Sequence, residues 1–206
     1  YVRAFPHVDE TIADLRRLYA FPIVGMEPAV KPAVEQSRGS GRRVLVTATK
    51  LTLQETKFHE LVRRVDDESI VDSLPLQELV QYCEQLRFGG EEVEAYLRGA
   101  FSGIDFREYG TLVLGCTHFP FFRKTLTKLL PPHVRIIDGN EGTVRRLAHL
   151  LGEAQPPERP EGIQPERIAE RVRFICSGAD EDCAGKMKAA LQAYAELAMM
   201  PADRGK

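Results

Sequence analysis

The densest chemistry in the chain lies in four consecutive residues, Gly115-Cys116-Thr117-His118, which bring a thiol, a hydroxyl and an imidazole together. They follow the apolar run Thr111-Leu112-Val113-Leu114, which reads as a buried strand. Thiolate is the reactive form of cysteine, so Cys116 becomes a base or nucleophile only where its surroundings tune it. A helix opening near Phe121 would bring backbone N–H groups and a positive dipole end close by, and His118 could serve as an acid toward a developing anion. On residue type alone the buried structural thiol is the commoner reading. Cys116 and His118 are remote in sequence from Cys83, Cys176 and Cys183, with no C-x-x-C or H-x-x-x-H pair, so no metal site is expected. Cys176 and Cys183, flanking a strand end and a helix start, read as buried thiols.

Two other expected strand ends carry polar groups: Thr47-Ala48-Thr49 with Thr52, and Asp138-Gly139-Asn140-Glu141. In open α/β sheets ligands bind beyond the carboxyl ends of the strands. Polar turn residues also favour any strand end, and Thr49, Thr52 and Thr117 fit ordinary turn and cap chemistry as well.

The elements that must position these groups alternate short apolar runs with amphipathic stretches, the mark of βαβ units and a parallel sheet. Strands are expected at Pro22–Gly25, Arg43–Val46, Thr111–Gly115, Val134–Asp138 and Val172–Ile175. Helices are expected over Thr11–Leu18, Thr52–Val65, Leu76–Leu86, Glu91–Ala100, Phe121–Leu130, Gly142–Leu151 and Ala184–Met199. Gly89-Gly90 punctuates one helical pair, and prolines 156, 157, 160 and 165 mark a loop.

Composition bounds the function classes. The 206 residues, 43% hydrophobic and 28% charged, suffice for one good core or two small ones. A net charge of −2 carries no nucleic-acid footprint. No apolar run approaches the roughly 20 residues of a membrane span. The start Tyr1-Val2-Arg3 lacks a signal-peptide pattern, and the four scattered cysteines form no disulfide framework. A cytoplasmic protein with reduced thiols is the expectation.

The run Leu112-Val113-Leu114-Gly115-Cys116-Thr117-His118-Phe119-Pro120 is similar to the second cysteine motif of the glutamate racemases. Ile136-Ile137-Asp138-Gly139-Asn140-Glu141-Gly142-Thr143-Val144-Arg145 resembles that family's next strand and helix start. Pro22-Ile23-Val24-Gly25-Met26-Glu27-Pro28 resembles its entry into the second domain, and Val46-Thr47-Ala48-Thr49-Lys50-Leu51-Thr52 its substrate-binding threonine loop. The likeness runs from about Ile12 to Ile175.

This resemblance implies an α/β fold of the two-domain, parallel-sheet type. It implies glutamate as substrate, cofactor-independent racemisation by two thiols on opposite faces of Cα, and D-glutamate supply for bacterial peptidoglycan. Cys116 would be one thiol, tuned or oriented by His118 with Glu84, while Thr49, Thr52 and Thr117 would bind substrate. Glu84 on type alone is an ordinary solvated helix residue.

The family's first-domain features, an Asp-Ser strand end, Pro-Tyr-Gly and Cys-Asn-Thr, are not found. The first cysteine would align near Ala4, and His7 is a weak stand-in. The expected division is therefore a second α/β domain over 24–138, with 1–23 and 139–206 as the remnant of an incomplete first domain. Apolar groups such as Leu191, Tyr194 and Leu197 would then be left for a partner, a second copy (a homodimer) or rearrangement to cover. The alternatives are a non-catalytic relative that binds an acidic amino acid or a protein, and an aspartate racemase-like enzyme.

Overall fold

The computed structural model describes residues 8–152, 170, 172–175 and 182–199, and the side chains among them from 12 to 196. The first half runs α1 (Val8–Leu18), α2 (Val30–Ser37), β1 (Arg43–Ala48), α3 (Lys50–Gln54), α4 (Thr56–Val65), β2 (Val71–Pro75) and α5 (Glu78–Glu84). The second runs α6 (Glu91–Phe101), β3 (Tyr109–Leu114), α7 (Arg123–Leu129), β4 (Arg135–Asp138), α8 (Asn140–Leu150) and α9 (Cys183–Met199). Short 3₁₀ turns precede β3 (Phe106–Glu108) and α7 (Phe119–Phe122). The chain forms two compact units that exchange after Gln77, Ile104, Thr117 and Pro132.

The first unit holds a four-stranded sheet in the order β2-β1-β3-β4, with every pair parallel. Val44, Leu45, Val46, Leu112 and Val113 are at most 1% exposed. Burial at consecutive positions, rather than alternation, is what central strands of a parallel sheet require. On one face Val44, Val46, Ala48 and Val113 pack with Val30, Ala33 and Val34 of α2, Leu53 of α3, and Phe58 and Leu61 of α4. Fully burying one such aliphatic side chain contributes about 1.5–3 kcal/mol.

At the strand starts, Arg43 Nε and Nη2 donate to Asp72 at 2.5 and 2.8 Å, and the Tyr109 hydroxyl donates to the same carboxylate at 2.8 Å. One acidic side chain thus ties β1, β2 and β3 together. The Arg43 hydrogen bonds hold the Asp72 carboxyl below its ordinary range, against the opposing effect of burial. Burial first, then Asp72, pushes the Tyr109 phenol up.

The second unit is helical. Phe88 stacks on Phe121 with centroids 4.8 Å apart, and Tyr194 of α9 meets Phe121 edge-on at 5.3 Å. Lys128 of α7 donates to Glu94 of α6 at 2.6 Å, and Arg98 reaches the same carboxylate at 3.5 Å. Tyr96 is pushed above its ordinary pKa by burial and by its hydrogen bond to Glu78.

Several local expectations need correction. Pro22–Gly25 is not a strand; the Ile23 carbonyl accepts from the Arg16 guanidinium at 3.0 and 3.3 Å instead of joining a ladder. Val172–Ile175 forms no strand either. The expected helix over Thr52–Val65 is two, α3 and α4, broken at Glu55, whose extended backbone (φ −65°, ψ 135°) caps both. Helix α2 was not anticipated, because Pro32 reads as a breaker. It sits in the first turn, where its absent N–H would be unpaired in any case. Strand β2 was missed because Val71-Asp72-Ser73-Leu74-Pro75 mixes polar residues and a terminal proline, a composition suited to an edge.

Leu191 and Tyr194 are half-buried rather than exposed, and the side chain of Leu197 lies outside the described residues. The larger exposed apolar groups include Val144, Leu147, Leu150 and Leu151 on and just after α8.

Candidate functional site

Adjacent strands β1 and β3 deliver the threonine loop and the cysteine to one end of the sheet. Thr47 pairs in register with Leu114, so Thr49 and Cys116 each lie two residues beyond a matched pair. Two hydrogen bonds fix this end: Thr47 Oγ1 donates to the Val113 carbonyl at 2.9 Å, and Gly115 N–H donates to the Thr47 carbonyl at 2.7 Å. A Cβ on Gly115 would lie 2.9 Å from that carbonyl oxygen, so the approach that sets the start of the Cys116 turn requires glycine.

Thr49 caps α3. Its backbone is extended (φ −73°, ψ 155°) and its Oγ1 accepts the Thr52 N–H at 3.2 Å. The two hydroxyls, Thr49 Oγ1 and Thr52 Oγ1, are 2.9 Å apart, so the pair forms a local hydroxyl cluster with both side chains half-buried. Cys116 and Thr117 are half-buried as well, and Cys116 is not in a disulfide.

His118 opens the next segment of the helical unit, leading into the 3₁₀ turn whose Phe119 and Phe122 are fully buried. Its Nε2 lies 2.8 Å from Glu84 Oε1 at the end of α5, with side-chain exposures of 19% and 68%. A carboxylate only accepts hydrogen bonds, so Nε2 carries the hydrogen in this pair, and the imidazole is oriented by it.

The structure joins Thr49 to Thr52 in the sheet unit and His118 to Glu84 in the helical unit, and Cys116 and Thr117 follow β3 in the sheet unit. At the third strand end, Asp138 Oδ1 accepts the Asn140 N–H at 2.9 Å. Gly139 comes so close to the Glu27 carbonyl that a Cβ there would lie 2.8 Å from it. Ala4, His7 and Cys176 lie outside the described residues. Cys183 is disulfide-bonded, which corrects its reading as a thiol, since sequence spacing does not reveal whether Cβ geometry permits a bridge.

Among the described residues no group of three or more His, Cys, Asp or Glu is arranged to hold a metal ion. No helix there is long and apolar enough to cross a membrane. Sequence reasoning did not find the contacts of Tyr82 and Arg87 with Glu92, or of Phe88 with Phe121, around the end of α5. Their only sequence signal is the Gly89-Gly90 turn that follows.

The glutamate racemase of Halothermothrix orenii is 57% identical over 140 residues, 68% of this chain and 54% of that protein. Glutamate racemase 2 of Bacillus subtilis is 46% identical over 142 residues, 69% of this chain and 54% of that protein. The chain thus spans about half the length of these curated relatives.

Among solved structures, Escherichia coli glutamate racemase in complex with L-glutamate and the activator UDP-MurNAc-ala matches with TM-score 0.58 and 31% identity. The match covers 71% of this chain and 55% of that one. The Campylobacter jejuni glutamate racemase, at 19% identity and TM-score 0.62 over 92% of this chain and 68% of that one, shares the fold. The model of the family described as Asp/Glu/Hydantoin racemase matches residues 7–147, more than half of the sequence, and the chain belongs to that family.

Proposed function

We propose that this protein acts on glutamate as an amino-acid racemase, with Cys116 transferring the Cα proton. The observation that carries the reading is the position of Cys116. It stands just past the carboxyl end of a central parallel strand, and two residues on is an imidazole already hydrogen-bonded to a carboxylate. Family membership and the glutamate racemases among its relatives support the substrate class.

In this reading His118, oriented by Glu84, tunes the thiol or exchanges protons with it. The hydroxyls of Thr49, Thr52 and Thr117 hydrogen-bond the substrate's carboxylate or amino group. The proposed product, D-glutamate, feeds bacterial peptidoglycan, and the proposed compartment is the cytoplasm. The proposed domain division takes 24–138 as one α/β domain and assigns 1–23 and 139–206 to the other.

Removing a proton from Cα and returning it to the same face exchanges hydrogen without inversion, because racemisation needs a base on each face. The test is proton NMR of L-glutamate and D-glutamate, separately, in D2O with the protein. Loss of the Cα–H signal with inversion means that two bases act. Loss for one enantiomer without inversion, abolished by Cys116→Ala, means that Cys116 transfers the Cα proton alone, which keeps its role and overturns racemisation by this chain. No exchange of either enantiomer, at protein concentrations where the fold is intact, overturns the proposal.

A further inference from the structure

Glu84 has to present its carboxylate to His118 from a poor starting point. It is the last residue of a seven-residue helix, a length that does not hold itself together in water. With its side chain 68% exposed, the pair faces solvent screening, and exposed pairs contribute only about 0–1 kcal/mol. Such a bond is too weak to organise the backbone alone, so several contacts must act together to fix it.

Three sets of contacts do this, all in the helical unit. First, the end of α5 is closed by the main chain: Leu86 N–H donates to the Cys83 carbonyl at 2.9 Å and Arg87 N–H to the Tyr82 carbonyl at 2.8 Å. That pair of bonds is a Schellman cap, which needs a left-handed residue at its turn. Leu86 supplies it at φ 57°, although it has a Cβ.

Second, the Arg87 side chain folds back on the same residue that its N–H engages. Its guanidinium lies 5.3 Å from the centre of the Tyr82 ring and pairs with Glu92 in the first turn of α6. The Tyr82 hydroxyl donates to Glu92 at 3.3 Å, closing a Tyr82–Arg87–Glu92 triangle. Third, Phe88 stacks on Phe121, three residues past His118, while its carbonyl accepts from Thr125 Oγ1 at 3.3 Å. The loop after α5 is thus fastened at one end beside Glu84 and at the other beside the turn that bears His118.

We propose that Arg87 is a positioning residue: by clasping Tyr82 and Glu92 it holds the end of α5 so that Glu84 keeps His118 in one tautomer and one orientation. This rests on the reading of His118 as a working group of the site, and it adds the element that prepares it. Arg87 touches neither Glu84 nor His118 in any hydrogen bond seen here, so its effect is carried by the backbone of the cap.

The experiment uses the full chain labelled with 15N and reads the correlation pattern between the imidazole nitrogens and the carbon-bound ring hydrogens of His118, assigned by its loss in His118→Gln. The wild-type pattern should be that of the Nε2–H tautomer, and Glu84→Ala should replace it with the averaged pattern of a free imidazole. Arg87→Ala should move the pattern most of the way toward that of Glu84→Ala, and Arg87→Lys, which keeps the charge for Glu92, should restore part of it. Circular dichroism confirms that each variant is folded.

A wild-type pattern in Arg87→Ala alongside a changed one in Glu84→Ala overturns the proposal and leaves Arg87 a surface contact. A pattern unaffected even by Glu84→Ala also overturns it, since there would be no pair to position. Neither result depends on turnover, so the Cα–H exchange experiment still decides the racemase reading separately.

Discussion

The two units hold their site residues by different means. In the sheet unit, Thr49 and Cys116 sit where they do because two central strands are locked in register under fully buried Val44, Val46, Leu112 and Val113. In the helical unit, Glu84 and His118 are held by a capped helix end, an aromatic stack and partly exposed ion pairs. A register-locked strand end is rigid because a slip would turn every buried side chain to the wrong face. A capped helix end is adjustable at small cost, since each contact contributes a kilocalorie or less. The group assigned proton transfer at Cα thus sits on the stiff unit, and the group assigned to tune it sits on the compliant one.

Substitutions can break or sharpen this contrast. The largest effect is expected from Leu112→Ala in β3, at about 2–5 kcal/mol of unfolding free energy, read as a fall in urea midpoint. A loss below about 1 kcal/mol would mean the sheet is not the stiff element. Gly115→Ala should cost about 1–3 kcal/mol through the clash with the Thr47 carbonyl. It should also lower Cys116 reactivity toward a thiol reagent at matched folded fraction, whereas equal reactivity would detach the turn geometry from the thiol.

Asp72→Asn should cost about 1 kcal/mol near neutral pH, with a defined pH dependence. The folded-state carboxyl of Asp72 lies below its ordinary range. Its contribution is therefore present above the unfolded pKa of about 3.9 and is lost as pH falls through the lower folded value. The gap between wild type and variant should close on acidification, and a gap constant down to pH 2 would refute the clasp.

Smaller effects are expected from two sites with a local misfit. The Thr111 hydroxyl is buried with no hydrogen-bond partner among the described residues, so Thr111→Val should raise stability, by at most about 1 kcal/mol. In the helical unit Leu86→Gly should raise stability by about 1 kcal/mol or less by relieving the left-handed leucine, read as a higher melting temperature. A fall would mean that the half-exposed leucine side chain is worth more than its strain.

The sheet's central strands were legible because Val44–Val46 and Leu112–Leu114 are short, continuous apolar runs bounded by turn residues, as doubly covered strands are. The Gly-Cys-Thr-His turn was legible for the same reason: it begins where such a run ends. Strand β2 was not, because an edge strand has one neighbour and no need of an apolar composition. Thr49 and Thr52 were legible as polar residues at a strand end, but not as the cap of α3, because the helix was expected to begin only at Thr52.

The meeting of Glu84 with His118 could not be read from spacing, because the two lie 34 positions apart on different elements and α5 is too short to show a period. It was suggested only by family likeness. Arg87 was invisible for a further reason: its role depends on a backbone turn that a leucine, and not the usual glycine, makes.

The seam between β1 and β3 also bears on how the chain acquires its shape. Thr47 and Val113 are bonded across 66 positions, whereas β1 with β2, and β3 with β4, are each linked through a much shorter stretch. Closing a long loop costs entropy before any contact repays it. The central seam therefore carries the larger loop-closure cost, by about 1 kcal/mol. The end of the sheet that carries Thr49 and Cys116 is thus closed by the contact between the parts of the sheet most distant in sequence, and burial of the central strands must repay that cost.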